Sequence, residues 1–270
     1  MNKIPLTVQI LTRNSSRGLE KLLPRLERFG EILIVDGNST DGTLNLAVDY
    51  NCRIIKQEDT KEKNVTIKDF SKVRNRGIRA ARYDWQLVID SDEYIDDKLV
   101  NEVEQIVSDN IINIVYNIPR KFVDNKGVID ICMGYPNRQI RLFNRLSGTH
   151  YTKPVHEKLV FDKNKVNIKN IKNFIYVPLD DYHIMRSKGD KYLKMAISNA
   201  SQINFYRWLR WYVYFHTRAS VSYLFRLFFS FFKKGHHMPL RYELYIFYYN
   251  WRMISLSFKK MLDGFINKKR

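Results

Sequence analysis

The sequence predicts an α/β protein built on a mostly parallel sheet, and three segments predict it. Thr7-Val8-Gln9-Ile10-Leu11, Ile32-Leu33-Ile34-Val35 and Leu87-Val88-Ile89 are short apolar runs bounded by polar residues, the mark of buried strands. Each delivers polar side chains at its C-terminal end: Thr12-Arg13-Asn14, then Asp36-Gly37-Asn38-Ser39, then Asp90-Ser91-Asp92-Glu93. Helical segments separate the three, so the strands lie parallel with one polar rim. Open sheets bind ligands beyond such a rim.

Taken in order, the first strand leads to a helix whose apolar positions are Leu19, Leu22, Leu23, Leu26 and Phe29. The second strand ends in a Gly/Asn/Ser turn. Asp41 or Thr43 then caps a helix with Leu44, Ala47 and Val48 on its apolar face. Gln57 to Asp69 is a long polar connection, of the kind that orders over a bound ligand. Asp90 and Asp92, two apart in a turn, can converge on a hard divalent cation such as Mg²⁺ or Mn²⁺. The same acidic cluster also suits the N-terminus of a helix at Asp97-Lys98-Leu99-Val100. Asn125-Lys126-Gly127 reads as a hairpin turn between Lys121-Phe122-Val123 and Val128-Ile129-Asp130-Ile131.

The ordered motifs Thr12-Arg13-Asn14, Val35-Asp36-Gly37-Asn38-Ser39-Thr40-Asp41-Gly42-Thr43 and Asp90-Ser91-Asp92-Glu93 resemble those of the family 2 glycosyltransferases of the GT-A fold. The family pattern has Asp-Gly where this chain has Gly37-Asn38, and the first Asp is kept. Phe70-Ser71-x-x-Arg74-Asn75-x-Gly77, Arg138-x-x-Arg141-Leu142-Phe143 and Val155-His156-Glu157 are similar to the lipopolysaccharide core glucosyltransferases. The resemblance covers residues 4–185. It implies an inverting transfer of a hexose, glucose being expected, from a UDP-sugar to a lipid-linked or lipopolysaccharide-core saccharide. Thr12, Arg13, Asn14, Asp36 and Asp41 would then line the nucleotide-sugar site, with Arg74 near the pyrophosphate. Asp90 would contact ribose or the metal, Asp92 would ligate Mn²⁺ or Mg²⁺ directly, and His183 would add a further ligand. Glu157 is the expected base, with His156 as its competitor. Without the family, Glu157 reads as an exposed partner of Lys158, Arg74 as a solvated helix charge, and His183 as a structurally satisfied histidine.

The remainder of the chain has a different composition. The net charge is +18, and residues 186–270 carry 17 Lys/Arg against Asp190, Glu243 and Asp263. Interspersed are Phe205, Tyr206, Trp208, Trp211, Tyr212, Tyr214, Phe215, Phe225, Phe228, Phe229, Phe231 and Phe232. Basic residues among aromatic rings suit a helix lying on anionic lipid. Arg218 and Arg226 interrupt the longest apolar stretch, so a spanning helix is not expected. A packed helical subdomain is the alternative. Nucleic-acid binding has no supporting motif and is rejected. Gln202 to Arg207-Trp208 has the wrong spacing for a processive synthase. The expected domains are thus 1–185, catalytic, and 186–270, a basic aromatic extension. Cys52 and Cys132 are isolated and imply no disulfide framework, and Met1-Asn2-Lys3 leads directly into the first strand. The expected location is cytoplasmic, at the inner face of a bacterial cell membrane. A nucleotidyltransferase would want a Gly-rich phosphate loop after the first strand, which Thr12 to Ser16 does not supply. A non-enzymatic, membrane-bound saccharide- or nucleotide-binding protein is the remaining alternative.

Overall fold

The structure is a computed structural model that describes residues 3–154, 157–198 and 200–266. The chain divides into two compact units, residues 1–122 with 136–178, and residues 123–135 with 179–270. In the first, β1 (Ile4–Thr12) passes through α1 (Ser16–Leu22) and a 3₁₀ turn (Leu23–Arg25) to β2 (Phe29–Asp36). Leu19, Leu22, Leu23, Leu26 and Phe29 are all fully buried, as their spacing predicts, but the last three lie outside the helix. Pro24 lacks an N–H and its ring clashes with the preceding turn, so α1 stops and Phe29 opens β2 instead.

α2 (Thr43–Asp49), β3 (Arg53–Lys56), α3 (Phe70–Ala80), β4 (Trp85–Asp90) and α4 (Asp97–Asp109) follow. Asp69 and Asp96 cap α3 and α4 by accepting from the amides of Lys72 and Leu99. β5 (Ile114–Asp124) turns at Asn125-Lys126 into β6 (Gly127–Val128), the predicted hairpin. β7 (Asn137–Asn144), β8 (His150–Thr152), β9 (Lys158–Val160), β10 (Asn167–Asn170) and β11 (Ile175–Pro178) complete the strands.

The main sheet has the order β10-β5-β7-β4-β1-β2-β3. β1 is parallel to β2 and β4, and β2 to β3, whereas β7 is antiparallel to both β4 and β5. β2 and β3 lie on one side of β1 and β4 on the other, so the order reverses at β1. A crevice opens at such a switch point, outside the strand ends. The register puts Thr12 beside Asp36 and Leu11 beside Asp90, which forms the predicted rim.

Both faces of the sheet are covered. On β2, Ile32 and Ile34 pack into one apolar cluster with Leu99 and Val103 of α4, while Leu33 and Val35 pack with Val73 of α3. On β4, Leu87 and Ile89 join the first cluster and Val88 joins Ile78 and Phe143. Burial on both sides explains why these strands read as unbroken apolar runs rather than alternating ones.

The second unit is helical apart from its hairpin segment: α5 (Tyr182–Ser198), α6 (Phe205–Trp208), a π-helical stretch (Leu209–Tyr214), α7 (Phe215–Ser230), α8 (Leu240–Glu243) and α9 (Tyr245–Ile266). On α7 the positions 216, 220, 223, 227 and 230 turn inward, and His216 bonds Asn250 of α9 at 2.8 Å. The opposite stripe, 214, 218, 221, 225, 228 and 232, is exposed. Phe232 is 73% accessible and Phe228 58%. Among the described residues no helix is long and apolar enough to cross a membrane.

Candidate active site

The β1 and β2 ends meet first. Asp36 is buried, and its Oδ2 accepts from Thr12 Oγ1 at 2.7 Å and Ser39 Oγ at 2.6 Å. Its Oδ1 accepts from the Ser39 amide at 2.7 Å. A carboxylate has about four acceptor positions, so one remains for a ligand. Asn14, in the left-handed region at φ 51°, accepts from the Thr40 amide and donates its own amide to Ser39. Arg13 donates to Thr66 Oγ1. Asp41 accepts from Thr43 at the start of α2 and from the Ser16 amide at 3.2 Å. Its carboxylate ties two helix starts together, and these hydrogen bonds outweigh desolvation and lower its pKa. The Gln57–Asp69 connection is ordered against this turn. Asn38 donates to the carbonyls of Thr60 and Glu62, and the Val65 amide donates to Gly37 at 2.7 Å.

The charged centre lies at the end of β4. Arg74 is buried on the inner face of α3, which Gln9 of β1 holds by donating to the Arg74 carbonyl at 2.9 Å. Gly77 makes that approach possible, because a Cβ there would sit 1.5 Å from Gln9 Nε2. The Arg74 guanidinium bridges Asp90 Oδ1 at 2.6 Å and Glu157 Oε1 at 3.1 Å. Arg141 of β7, also buried, grips Asp90 through both terminal nitrogens, at 3.2 and 2.6 Å. Burial by itself would raise the Asp90 pKa. Arg141 and Arg74 more than offset that and hold the carboxyl well below the usual range. Glu93, deeper still, accepts from Arg120 and from the Asp90 amide, and desolvation raises its pKa.

Glu157 is positioned from α3. Asn75 exchanges two 2.8 Å hydrogen bonds with the backbone of Tyr151, and the Phe70 amide donates to the Pro154 carbonyl at 2.9 Å. Glu157 therefore pairs with Arg74, where the sequence by itself offered Lys158. His156 lies outside the described residues. Arg74, Asp90, Arg141, Tyr151 and Glu157 line one cavity of about 720 Å³.

Asp92 is exposed on the β4–α4 loop. Its neighbour Ser91 donates to Ser15 Oγ at 3.0 Å. His183 is exposed at the start of α5 in the second unit, its ring edge-on to Tyr182. Among the described residues no three His, Cys, Asp or Glu side chains gather into a metal-holding group. A single hard carboxylate still suits Mg²⁺ or Mn²⁺, which take one or two carboxylates and complete their shell with substrate phosphate and water. Asp92 fits that role. Asp90, already gripped by two guanidiniums, has less to give a cation.

Arg141, Glu93, Arg120 and Asn75 had no role in the sequence reading. Arg141 was visible in Arg138-x-x-Arg141, yet nothing local says that β7 runs antiparallel beside β4.

A rim of polar strand ends over a mostly parallel sheet, with carboxylates and arginines at its switch point, makes an α/β protein with a ligand crevice beyond its strand ends. A family model described as glycosyl transferase family 2 matches residues 7–154, more than half of the chain, and the chain belongs to that family. The fold is accordingly the GT-A glycosyltransferase fold. A search of curated proteins finds no match. Among solved structures, S. aureus TarS 1–349 in complex with UDP is 15% identical, with 98% of this chain and 92% of that chain covered and a TM-score of 0.46. A longer S. aureus TarS chain is 16% identical at a TM-score of 0.43, covering 78% of this chain and 43% of that one, so this chain spans less than half its length. The glucosyl-3-phosphoglycerate synthase from Mycobacterium tuberculosis with Mn²⁺, UDP and glucosyl-3-phosphoglycerate is 18% identical, with 43% of each chain covered and a TM-score of 0.32.

Proposed function

We propose that this family 2 glycosyltransferase moves a hexose, glucose in the first instance, from a UDP-sugar to a saccharide or lipid-linked acceptor with inversion at C1. The observation that carries the reading is the Arg74 guanidinium, which joins Asp90 at the rim to Glu157 across one cavity. Thr12, Asn14 and Asp36 line the nucleoside pocket, where the spare acceptor position of Asp36 takes a base or ribose donor. Arg13 flanks that pocket and Asp41 shapes its wall. Asp92 would hold Mn²⁺ or Mg²⁺, which when bound supplies a Lewis acid and a template for the diphosphate. Arg74 and Arg141 keep Asp90 ionised and oriented towards the sugar or ribose hydroxyls. Glu157 takes the proton of the acceptor hydroxyl as that oxygen attacks C1. Arg74 fixes the position of the Glu157 side chain at the cavity wall.

The second unit supports a membrane-surface role within this reading. Its exposed stripe on α7 is aromatic, its inward stripe packs on α9, and residues 191–242 contain no Asp or Glu. Cationic, aromatic helices of this kind bind anionic lipid. The enzyme then works at the inner face of a bacterial cell membrane, where a lipid-linked acceptor is confined.

The test is a screen of nucleotide sugars for release of nucleoside diphosphate. UDP-glucose or another UDP-hexose should be cleaved with Mn²⁺ and spared with EDTA, and Asp92→Asn should lose most of that activity while staying folded. Asp92→Asn turnover near the wild-type rate would remove Asp92 from the metal site.

A further inference from the structure

The cavity beside Glu157 has a charge pattern that donor binding leaves unused. Its lining carries five cations, Arg74, Arg138, Arg141, Lys158 and Lys163, against two anions, Asp90 and Glu157. Arg74 and Arg141 are taken up by the two carboxylates. Arg138 (β7), Lys158 (β9) and Lys163 (the segment after β9) are exposed, and their side chains pair with no carboxylate among the described residues. Within the same lining, Arg74 Nη1 and Arg141 Nε are buried donors without a hydrogen-bond partner. Unpaired buried donors are costly, and cations gathered on one wall repel each other. Both features favour an anionic guest.

The proposed nucleoside contacts lie outside this cavity. Thr12, Asn14, Asp36 and Asp92 are absent from the lining, whereas Glu157 is part of it. In an inverting transfer the molecule on the base's side is the acceptor. We propose that the cavity receives an acceptor saccharide bearing a phosphate or carboxylate group. Arg138, Lys158 and Lys163 hold the anion, and a hydroxyl of the same molecule faces Glu157. This rests on Glu157 being the base, and it adds the chemical class of the acceptor.

The experiment titrates the full chain, first saturated with UDP and Mn²⁺, with glucose 6-phosphate, glucuronate and glucose. At least one of the two anions should bind roughly tenfold or more tighter than glucose, and the advantage should shrink as salt rises. Whichever anion is preferred identifies phosphate or carboxylate as the group recognised. Arg138→Gln and Lys163→Gln, both at exposed positions, should each weaken anion binding by up to about fivefold, as loss of an exposed ion pair does. Arg138→Lys should recover most of the loss, which a merely structural role would not show. Absence of any anion preference, or anion binding that both Gln variants leave unchanged, overturns the proposal. Failure of UDP to saturate the chain would instead strike at the donor reading itself.

Discussion

At the residue scale, Glu157 is the sharpest commitment. Glu157→Gln keeps the shape of the side chain and removes its ability to take a proton, so transfer should fall by roughly 10²-fold or more. UDP affinity should change little, because the proposed nucleoside contacts are at the ends of β1 and β2, away from Glu157. Loss of UDP binding in a calorimetric titration would move Glu157 to the donor side. Asp90 gives a prediction about stability. Its folded pKa is depressed, so its contribution is present above the unfolded value of about 4 and is lost as pH falls. Asp90→Asn removes the carboxylate that two buried guanidiniums share, leaving Arg74 only Glu157 and Arg141 only Glu93. It should cost about 2 kcal/mol at pH 7, below the loss of a fully buried pair because those partners remain and a third of the Asp90 side chain is exposed. The gap in urea midpoint between variant and wild type should narrow at pH 3. A gap independent of pH would mean that the ion pairs do not form. That Asp90 and Asp92 fall at a strand end was legible from the apolar run before them, and the family motifs single out Glu157, whose pairing with Arg74 no local signal gives. The Arg141 clamp was not, because it is made by a strand antiparallel to β4 and distant in sequence.

At the scale of elements, the parallel strands were legible from composition, while helix ends depended on single residues. Pro24 cut short a pattern that hydrophobic spacing alone would have extended to Phe29. The β8–β9 ladder and β10 carry little apolar signal, and β10 is exposed along its length, so periodicity could not reveal them. Gly18 in α1 offers a test in which two effects have opposite signs. Helix propensity says that Gly→Ala should stabilise by about 1 kcal/mol. A Cβ at position 18, however, would lie 2.0 Å from the Ser91 carbonyl oxygen and 3.4 Å from the Asp92 Cα, both backbone atoms that cannot swing aside. Overpacking of that kind costs about 1–3 kcal/mol and should win. Gly18→Ala should lower the melting temperature and weaken Mn²⁺-dependent turnover, because the loop that carries Asp92 is displaced. A higher melting temperature with unchanged metal dependence would show that α1 and this loop do not pack as described.

At the scale of the whole molecule, charge is concentrated in the helical unit, which carries the exposed aromatic stripe of α7. The sequence offered a lipid-facing helix or a packed subdomain, and α7 combines features of both. His216, Leu227 and Ser230 are buried, while Phe225, Phe228 and Phe232 are exposed. The full chain should bind vesicles containing anionic lipid and release from them as salt rises. Replacing Arg207, Arg210 and Arg218 with Gln should weaken that binding. Binding that ignores salt and lipid charge would leave the stripe without a membrane role. The central claim, however, is a single displacement at the Arg74–Glu157 site, and one spectrum tests it most directly. With Mn²⁺ and an α-linked UDP-hexose, water can stand in for the acceptor, and ¹H NMR at early times reads the configuration of the released sugar before it mutarotates. Inversion gives the β anomer, formed with Mn²⁺ and strongly reduced in Glu157→Gln. Initial release of the α anomer would contradict it.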